Sequence, residues 1–214
     1  MKKDPPSSIE NRLIKCFPEE PPAIKRVSAD SLVRAHHTGG HALKNIIHVG
    51  TSRYRYCDHV AIARFATTYA AKNPMPGLAE ARGLVLNKSL RQIVLNDRYV
   101  KNYAFSRLHG TAQLRMLPFT ELVPLLLDIV DDIRRGEDGY LITQALAAAI
   151  WTKWPDVDGI MYTSRLYNPA PCFAIFDRAI ARRGLIVTST TAVLDESDIQ
   201  AALKTGKIIL ETKY

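Results

Sequence analysis

The 214-residue chain is short of the features that mark several large classes of protein. It has three cysteines, Cys16, Cys57 and Cys172, an odd number with no close spacing. Neither a disulfide framework nor a CxxC metal knuckle can organise it. No apolar run reaches the roughly 18 residues needed to cross a bilayer. The densest, LVPLLLDIV, is interrupted by Pro124 and Asp128. The opening MKKDPPSSIENR lacks the apolar stretch of about 7–15 residues found in a secretory signal, so a cytoplasmic location without a membrane partner is expected. There is no internal repeat and no low-complexity tract. GxxxxGK[ST], a GxGxxG after a strand, and GxSxG are all missing, which removes a P-loop, a dinucleotide fingerprint and a nucleophile elbow.

Positive charge is what the chain has in excess. Lysine and arginine number 29 against 21 acidic residues, a formal net charge of +8 with a pI near 9.5. Such a balance favours an anionic partner: nucleic acid, a phosphorylated small molecule or an acidic protein. Residues 1–28 carry five prolines and one short amphipathic stretch, IENRLIKCF, and read as an N-terminal arm outside the main core. From Ser31 the pattern predicts strands in SLVRAHH, IARFATTYAA, LRQIVLNDRYVKNY, GIMYTS and CFAIF. Helices are predicted in PMPGLAEARGLVL, in FTELVPLLLDIVDDIRR with Thr120 as N-cap, and in GYLITQALAAAIWTKW up to Pro155. The tail pairs a β-branched strand, GLIVTSTTAVL, with a helix, DESDIQAALKTGK, ending at Gly206. Strands and helices without regular βαβ alternation imply an α+β fold.

Several side chains have types and places suited to chemistry. Arg34 lies inside a predicted strand, and Arg53 precedes Tyr54 in the loop GTSRYRYCD. Guanidinium groups present planar forks of donors that suit phosphate oxygens, although any single arginine can equally be a solvated surface charge. Tyr54, Tyr56 and Tyr69 offer faces on which a flat ring can stack, Tyr69 being otherwise an ordinary strand tyrosine. Glu80 falls in the first turns of a predicted helix, where the helix dipole alone would explain a carboxylate. Opposite a sugar, the same group would stabilise developing positive charge. Ser164 follows the strand GIMYT, as a strand-end cap or as a ligand-binding hydroxyl, and Arg165 with Asp177 is a candidate ion pair across the hairpin. The histidines His36, His37, His41, His48 and His59 cluster in sequence, but Gly39-Gly40 between His37 and His41 argues against a helix presenting both to a metal, and no metal is expected.

Taken in order, these segments resemble the RES-domain family, named for an arginine, a glutamate and a serine. The likeness covers roughly residues 30 to 185. SLVRAHH is similar to the opening strand with its arginine, Arg34. GTSRYRY resembles the glycine-led loop with a basic–aromatic pair, Arg53 and Tyr54. FATTYAAKNPMPGLAEA resembles the strand and helix that carry Tyr69 and Glu80, and DGIMYTSRLYNPAPCFAIFDRA the closing strands with Ser164. The segment between Arg53 and Tyr69 is longer than the family pattern, and two prolines precede Glu80.

The resemblance implies an ADP-ribosyltransferase-like core of small mixed and antiparallel sheets with flanking helices over residues 29–185. The N-terminal arm (1–28) and a C-terminal strand–helix extension (186–214) lie around it. It further implies an enzyme that consumes NAD as a substrate rather than a cofactor and cleaves the nicotinamide–ribose bond, with phosphate or water as acceptor. The protein would then be the toxin of a pair whose antitoxin is a separate Xre-type protein. Arg34, Glu80 and Ser164 would be catalytic, with Arg53, Tyr54 and Tyr69 binding NAD. Two alternatives remain: transfer of ADP-ribose to a protein target, and a basic nucleic-acid-binding protein without catalysis. The last rests on charge alone, because no helix-turn-helix pattern is present. A second copy of the chain is a further candidate partner.

Overall fold

The computed structural model describes residues 6–38, 56–59, 64–81, 83–87, 92–126, 138–164 and 170–211. Arg53, Tyr54, His41, His48 and Arg165 fall outside them. The order along the chain begins with α1 (Pro6–Cys16), β1 (Lys25–Val27), β2 (Val33–His37), β3 (Thr67–Ala71), α2 (Pro74–Glu80), β4 (Leu84–Asn87) and β5 (Gln92–Asn96). It continues through α3 (Asp97–Asn102), β6 (Tyr103–His109), β7 (Leu114–Pro118), α4 (Phe119–Leu122), α5 (Asp138–Lys153), β8 (Gly159–Thr163) and β9 (Pro171–Phe176). It closes with α6 (Asp177–Arg182), β10 (Ile186–Ala192), α7 (Ser197–Lys204) and β11 (Ile208–Glu211).

Eight strands form one sheet in the order β1-β7-β8-β9-β3-β2-β6-β10, and β11-β5-β4 form a second. Pairing is antiparallel except for β7 with β8 and β11 with β5, so the fold is α+β, as the element pattern implies. No helix among the described residues is long and apolar enough to cross a membrane.

Alternation along β9 divides the core in two. Cys172, Ala174 and Phe176 point to one side, where α1 and α5 cover the sheet, while Phe173 and Ile175 point to the other, against Ala179 of α6. The run Ala147-Ala148-Ala149 in α5 is fully buried; small side chains there allow close packing. Pro155 lies just beyond the end of α5, where a proline cannot continue the helix. Arg178 then supplies donors to the carbonyls of Trp151 (2.8 Å), Trp154 (2.9 Å) and Val157 (2.7 Å), a cation placed at a helix C-terminus. Gly159 opens β8 because an added Cβ would stand 2.2 Å from the Ala174 carbonyl oxygen.

Several sequence expectations change in the structure. The N-terminal arm belongs to the core: Leu13 and Phe17 are buried, and the Phe17 ring stacks on Trp154 at 4.7 Å. The helix expected through PMPGLAEARGLVL ends at Glu80, and Leu84–Asn87 is a strand. The strand expected through LRQIVLNDRYVKNY gives way at Asp97 to a helix, supported by an i,i+4 ion pair of Lys101 with Asp97. In FTELVPLLL the N-cap position is Pro118 rather than Thr120, and α-helix yields to 3₁₀ geometry from Val123, where Pro124 removes an N–H from the ladder. Strands β1, β6, β7 and β11 lie where the sequence pattern predicts none. The helix before Gly206 does end as expected, with Gly206 at φ 69°.

A buried ionic network ties α1 to the chain leading into β3. Arg64 donates to Glu10 at 2.8 and 3.0 Å and to Asp58 at 3.0 and 2.9 Å, while His59 Nε2 lies 2.6 Å from Glu10. Burial alone would raise the pKa of Asp58, but the Arg64 guanidinium and backbone N–H together hold it below the ordinary value. The stability this supplies is full above the unfolded carboxylate value near 3.9 and is lost as pH falls through the lower folded value. Removing Arg64 would leave Asp58 without its guanidinium and Glu10 with His59. Arg64→Gln is expected to cost about 3 kcal/mol at pH 7, toward the low end for a broken buried pair because the guanidinium is 36% exposed. Urea unfolding at pH 7 and pH 3 checks this: the gap between wild type and variant should shrink at pH 3, and an equal gap at both would contradict it.

Candidate active site

The row of paired residues Tyr162–Cys172–Ala71–Val33 runs across β8, β9, β3 and β2. Helix α2 crosses above it. At Gly77 an added Cβ would lie 3.6 Å from the Ala71 side chain and 3.8 Å from the Val33 carbonyl oxygen. Pro74 occupies the helix start, and Met75, Leu78 and Ala79 anchor the element in a third core shared with α7 and the small sheet. Glu80 is the last residue of the helix, not a member of its first turns. Its carboxylate therefore meets the negative end of the dipole, which disfavours it, so the dipole does not explain its position.

What holds Glu80 is a phenol. The Tyr162 hydroxyl donates to Glu80 Oε2 at 3.2 Å. Burial pushes the Tyr162 pKa well above its ordinary value, and the negative charge of Glu80 pushes it further, so the group remains a neutral donor. Cys172 lies in the same row, and burial together with Glu80 raises its thiol pKa as well. It stays a thiol, which rules it out as a ready nucleophile.

Tyr69 belongs to this side of the sheet. Its hydroxyl accepts the Tyr56 N–H at 2.9 Å, and Thr67 donates to the Tyr56 carbonyl at 2.8 Å. The Tyr56 ring lies 4.9 Å from that of Tyr162. The Tyr69 hydroxyl thus meets the Tyr56 backbone and lies 3.8 Å from Cys57 Sγ, with its ring packed against the core. Ser164 follows Tyr162 by two residues and so falls on the same side by strand alternation. It is 2% exposed, and its N–H pairs with the Ala170 carbonyl at 3.2 Å. The strand end is closed by that backbone pair.

Arg34 is not gathered with them. Its buried side chain donates to Thr68 at 3.1 Å, and Thr68 alternates with Tyr69 onto the opposite side. Arg34 pairs with Ser106 of β6, and Ser106 Oγ lies 2.8 Å from His36 Nε2. His36 Nδ1 lies 2.9 Å from the His37 carbonyl. A carbonyl can only accept, so Nδ1 carries the proton and Nε2 accepts from Ser106. Burial keeps this histidine's pKa low. Strands β2 and β3 are paired at one position, Val33 with Ala71, so Arg34 stands immediately beside the place where two central strands part.

The structure therefore brings Tyr69, Glu80 and Ser164 to one side of the sheet and sets Arg34 on the other, at the parting; Arg53 and Tyr54 lie outside the described residues. Sequence reasoning missed Tyr162, and it named Tyr56 as a stacking face rather than as the buried ring that packs on Tyr162. Counting back two residues from Ser164 in GIMYTS would have placed Tyr162 on the serine's side. Among the described residues no group of three metal-ligating side chains forms. Asp177, considered as a partner of Arg165, accepts the backbone N–H groups of Ala66 (3.1 Å) and Arg178 (2.8 Å).

A comparison with the curated proteins finds no match. Among solved structures, the crystal structure of the M. tuberculosis MbcT-MbcA toxin-antitoxin complex contains a chain of similar fold. The two share 14% identity at a TM-score of 0.57, with 92% of this chain and 99% of that chain covered. The family model described as RES domain matches residues 31–195. With three-quarters of its length in that match, the chain belongs to the RES domain family.

Proposed function

We propose that the protein degrades NAD by cleaving the nicotinamide–ribose bond and is the toxin of a toxin–antitoxin pair. One observation carries the reading: a carboxylate, Glu80, held by the neutral phenol of Tyr162, two residues before Ser164. Family membership supports NAD as substrate through the resemblance described above. The fold shared with a chain from a toxin–antitoxin complex supports a separate antitoxin, and the +8 charge suits an acidic one.

In this reading the bond from ribose C1′ to the pyridinium nitrogen breaks and its electron pair neutralises the ring. Nicotinamide leaves uncharged, and positive charge grows on the sugar. Glu80 stabilises that charge without forming a bond. Phosphate or water then attacks C1′ and sheds a proton, giving ADP-ribose 1″-phosphate or ADP-ribose. The Tyr69 ring stacks on the nicotinamide, Ser164 binds the adjoining ribose and Arg53 meets the pyrophosphate, while Arg34, buried on the opposite side, donates to Thr68.

Proton NMR of NAD incubated with the purified protein, with and without phosphate, tests this. Free nicotinamide in phosphate alone establishes phosphorolysis, and release in both buffers establishes hydrolysis. Intact NAD in both contradicts the reading and leaves transfer to a protein target. Glu80→Gln should slow nicotinamide release by about a hundred- to a thousandfold; an unchanged rate would remove Glu80 from the site.

A further inference from the structure

The surroundings of Glu80 raise a problem that the reaction itself does not answer. A carboxylate meant to stabilise a transient cation has to be held still, yet a lysine or arginine partner would cancel the charge it supplies. Here no lysine or arginine among the described residues pairs with it. The helix end beneath it is the wrong one for an anion, and the neighbouring Cys172 and Ala71 are buried and neutral. Among the described residues the Tyr162 hydroxyl is the donor to it, through Oε2.

We infer that Tyr162 is the positioning residue of this site: its neutral phenol fixes Glu80 Oε2 and leaves Oε1, with full charge on the group, to face the reacting sugar. The assignment of a sugar as the reacting group rests on the function proposed above; the holding of Glu80 by Tyr162 does not.

The phenol is well mounted for this. Its ring is buried and lies against Tyr56 at a centroid distance of 4.9 Å and an interplanar angle of 50°. Tyr56 is itself pinned by Tyr69 through its N–H and by Thr67 through its carbonyl. Strand β8, which carries Tyr162, pairs with β9 along its length, Tyr162 opposite Cys172, and with β7 over Gly159 to Met161. A hydroxyl on so constrained a ring has little freedom to follow a wandering carboxylate, so the carboxylate must come to it. The chain also keeps the partner uncharged: the phenol is buried next to an anion, an environment in which it does not ionise at neutral pH.

Tyr162→Phe keeps the ring and removes the donor. With NAD as substrate, kcat is expected to fall about ten- to a hundredfold, as for loss of a hydrogen bond to a charged group, with KM within about twofold and the melting temperature nearly unchanged. In the Glu80→Gln background the same substitution should add little further loss, because the two residues act as one unit. A kcat equal to wild type, a rise in KM alone, or fully additive losses would each overturn the inference.

Crystal structures of the wild-type and Tyr162→Phe proteins provide a readout that needs no turnover. The carboxylate of Glu80 should leave its place beside Cys172 or split between two positions in the variant. An unmoved carboxylate overturns the positioning role even if the enzyme is active. A displaced carboxylate in a protein that leaves NAD intact upholds that role and overturns only the substrate reading. Should Tyr162→Phe fail to fold, 3-fluorotyrosine at position 162 preserves the shape with a more acidic phenol: an altered kcat at unchanged KM supports the inference, and an unaltered kcat overturns it.

Discussion

An anion at the C-terminal end of a helix, half covered by protein, is an arrangement that folding alone would not select. The candidate site is organised around that constraint. Helix α2 is short, opened by prolines, and laid across the row Tyr162–Cys172–Ala71–Val33 so that its last residue reaches a phenol on β8. At Gly77 the helix lies over Ala71 and Val33 at a distance where an added Cβ would make ordinary van der Waals contact. The apolar residues of α2 belong to a core shared with α7 and the small sheet, so the placement of one carboxylate draws on packing from the C-terminal part of the chain.

Support for the aromatic floor comes from the N-terminal arm. Tyr56 and Cys57 precede β3, and next to them Asp58 is tied to Glu10 of α1 through Arg64, which donates to both carboxylates. Phe17 and Trp154 lock the same helix against α5. A mechanical line therefore runs from α1 through the Arg64 network to Tyr56 and Tyr69, and from them to Tyr162. Two buried carboxylates sharing one partly exposed guanidinium is costly in desolvation, and its benefit is a fixed geometry for the residues that follow.

Local signals made part of this legible. Alternation in GIMYTS and CFAIF, the Ala-rich pattern ending at Pro155, and glycine at position 206 each report structure within a few residues. The order of short motifs around Arg34, Tyr69, Glu80 and Ser164 pointed to the family. What the sequence could not show was set by distant contacts. Leu84–Asn87 is a strand because β5 lies beside it, and Tyr103–His109 because β2 and β10 flank it. Amphipathic spacing in IENRLIKCF did not say which surface would receive Leu13. Glu80 looked like a first-turn acid until the helix proved to end there, and no spacing rule links residue 80 to residue 162. Strand alternation also separates Arg34 from Tyr69, a division that depends on the register between β2 and β3.

The central claim is that the side of the sheet bearing Glu80, Tyr162, Ser164 and Tyr69 receives the nicotinamide ribose of NAD. A crystal structure of the Glu80→Gln protein with NAD bound tests it most directly, since the substitution preserves shape while slowing turnover. The account predicts the anomeric carbon about 3–4 Å from the residue-80 side chain, a near-attack distance, with the nicotinamide ring against Tyr69. NAD bound elsewhere on the protein, or with its nicotinamide end away from residue 80, would contradict it.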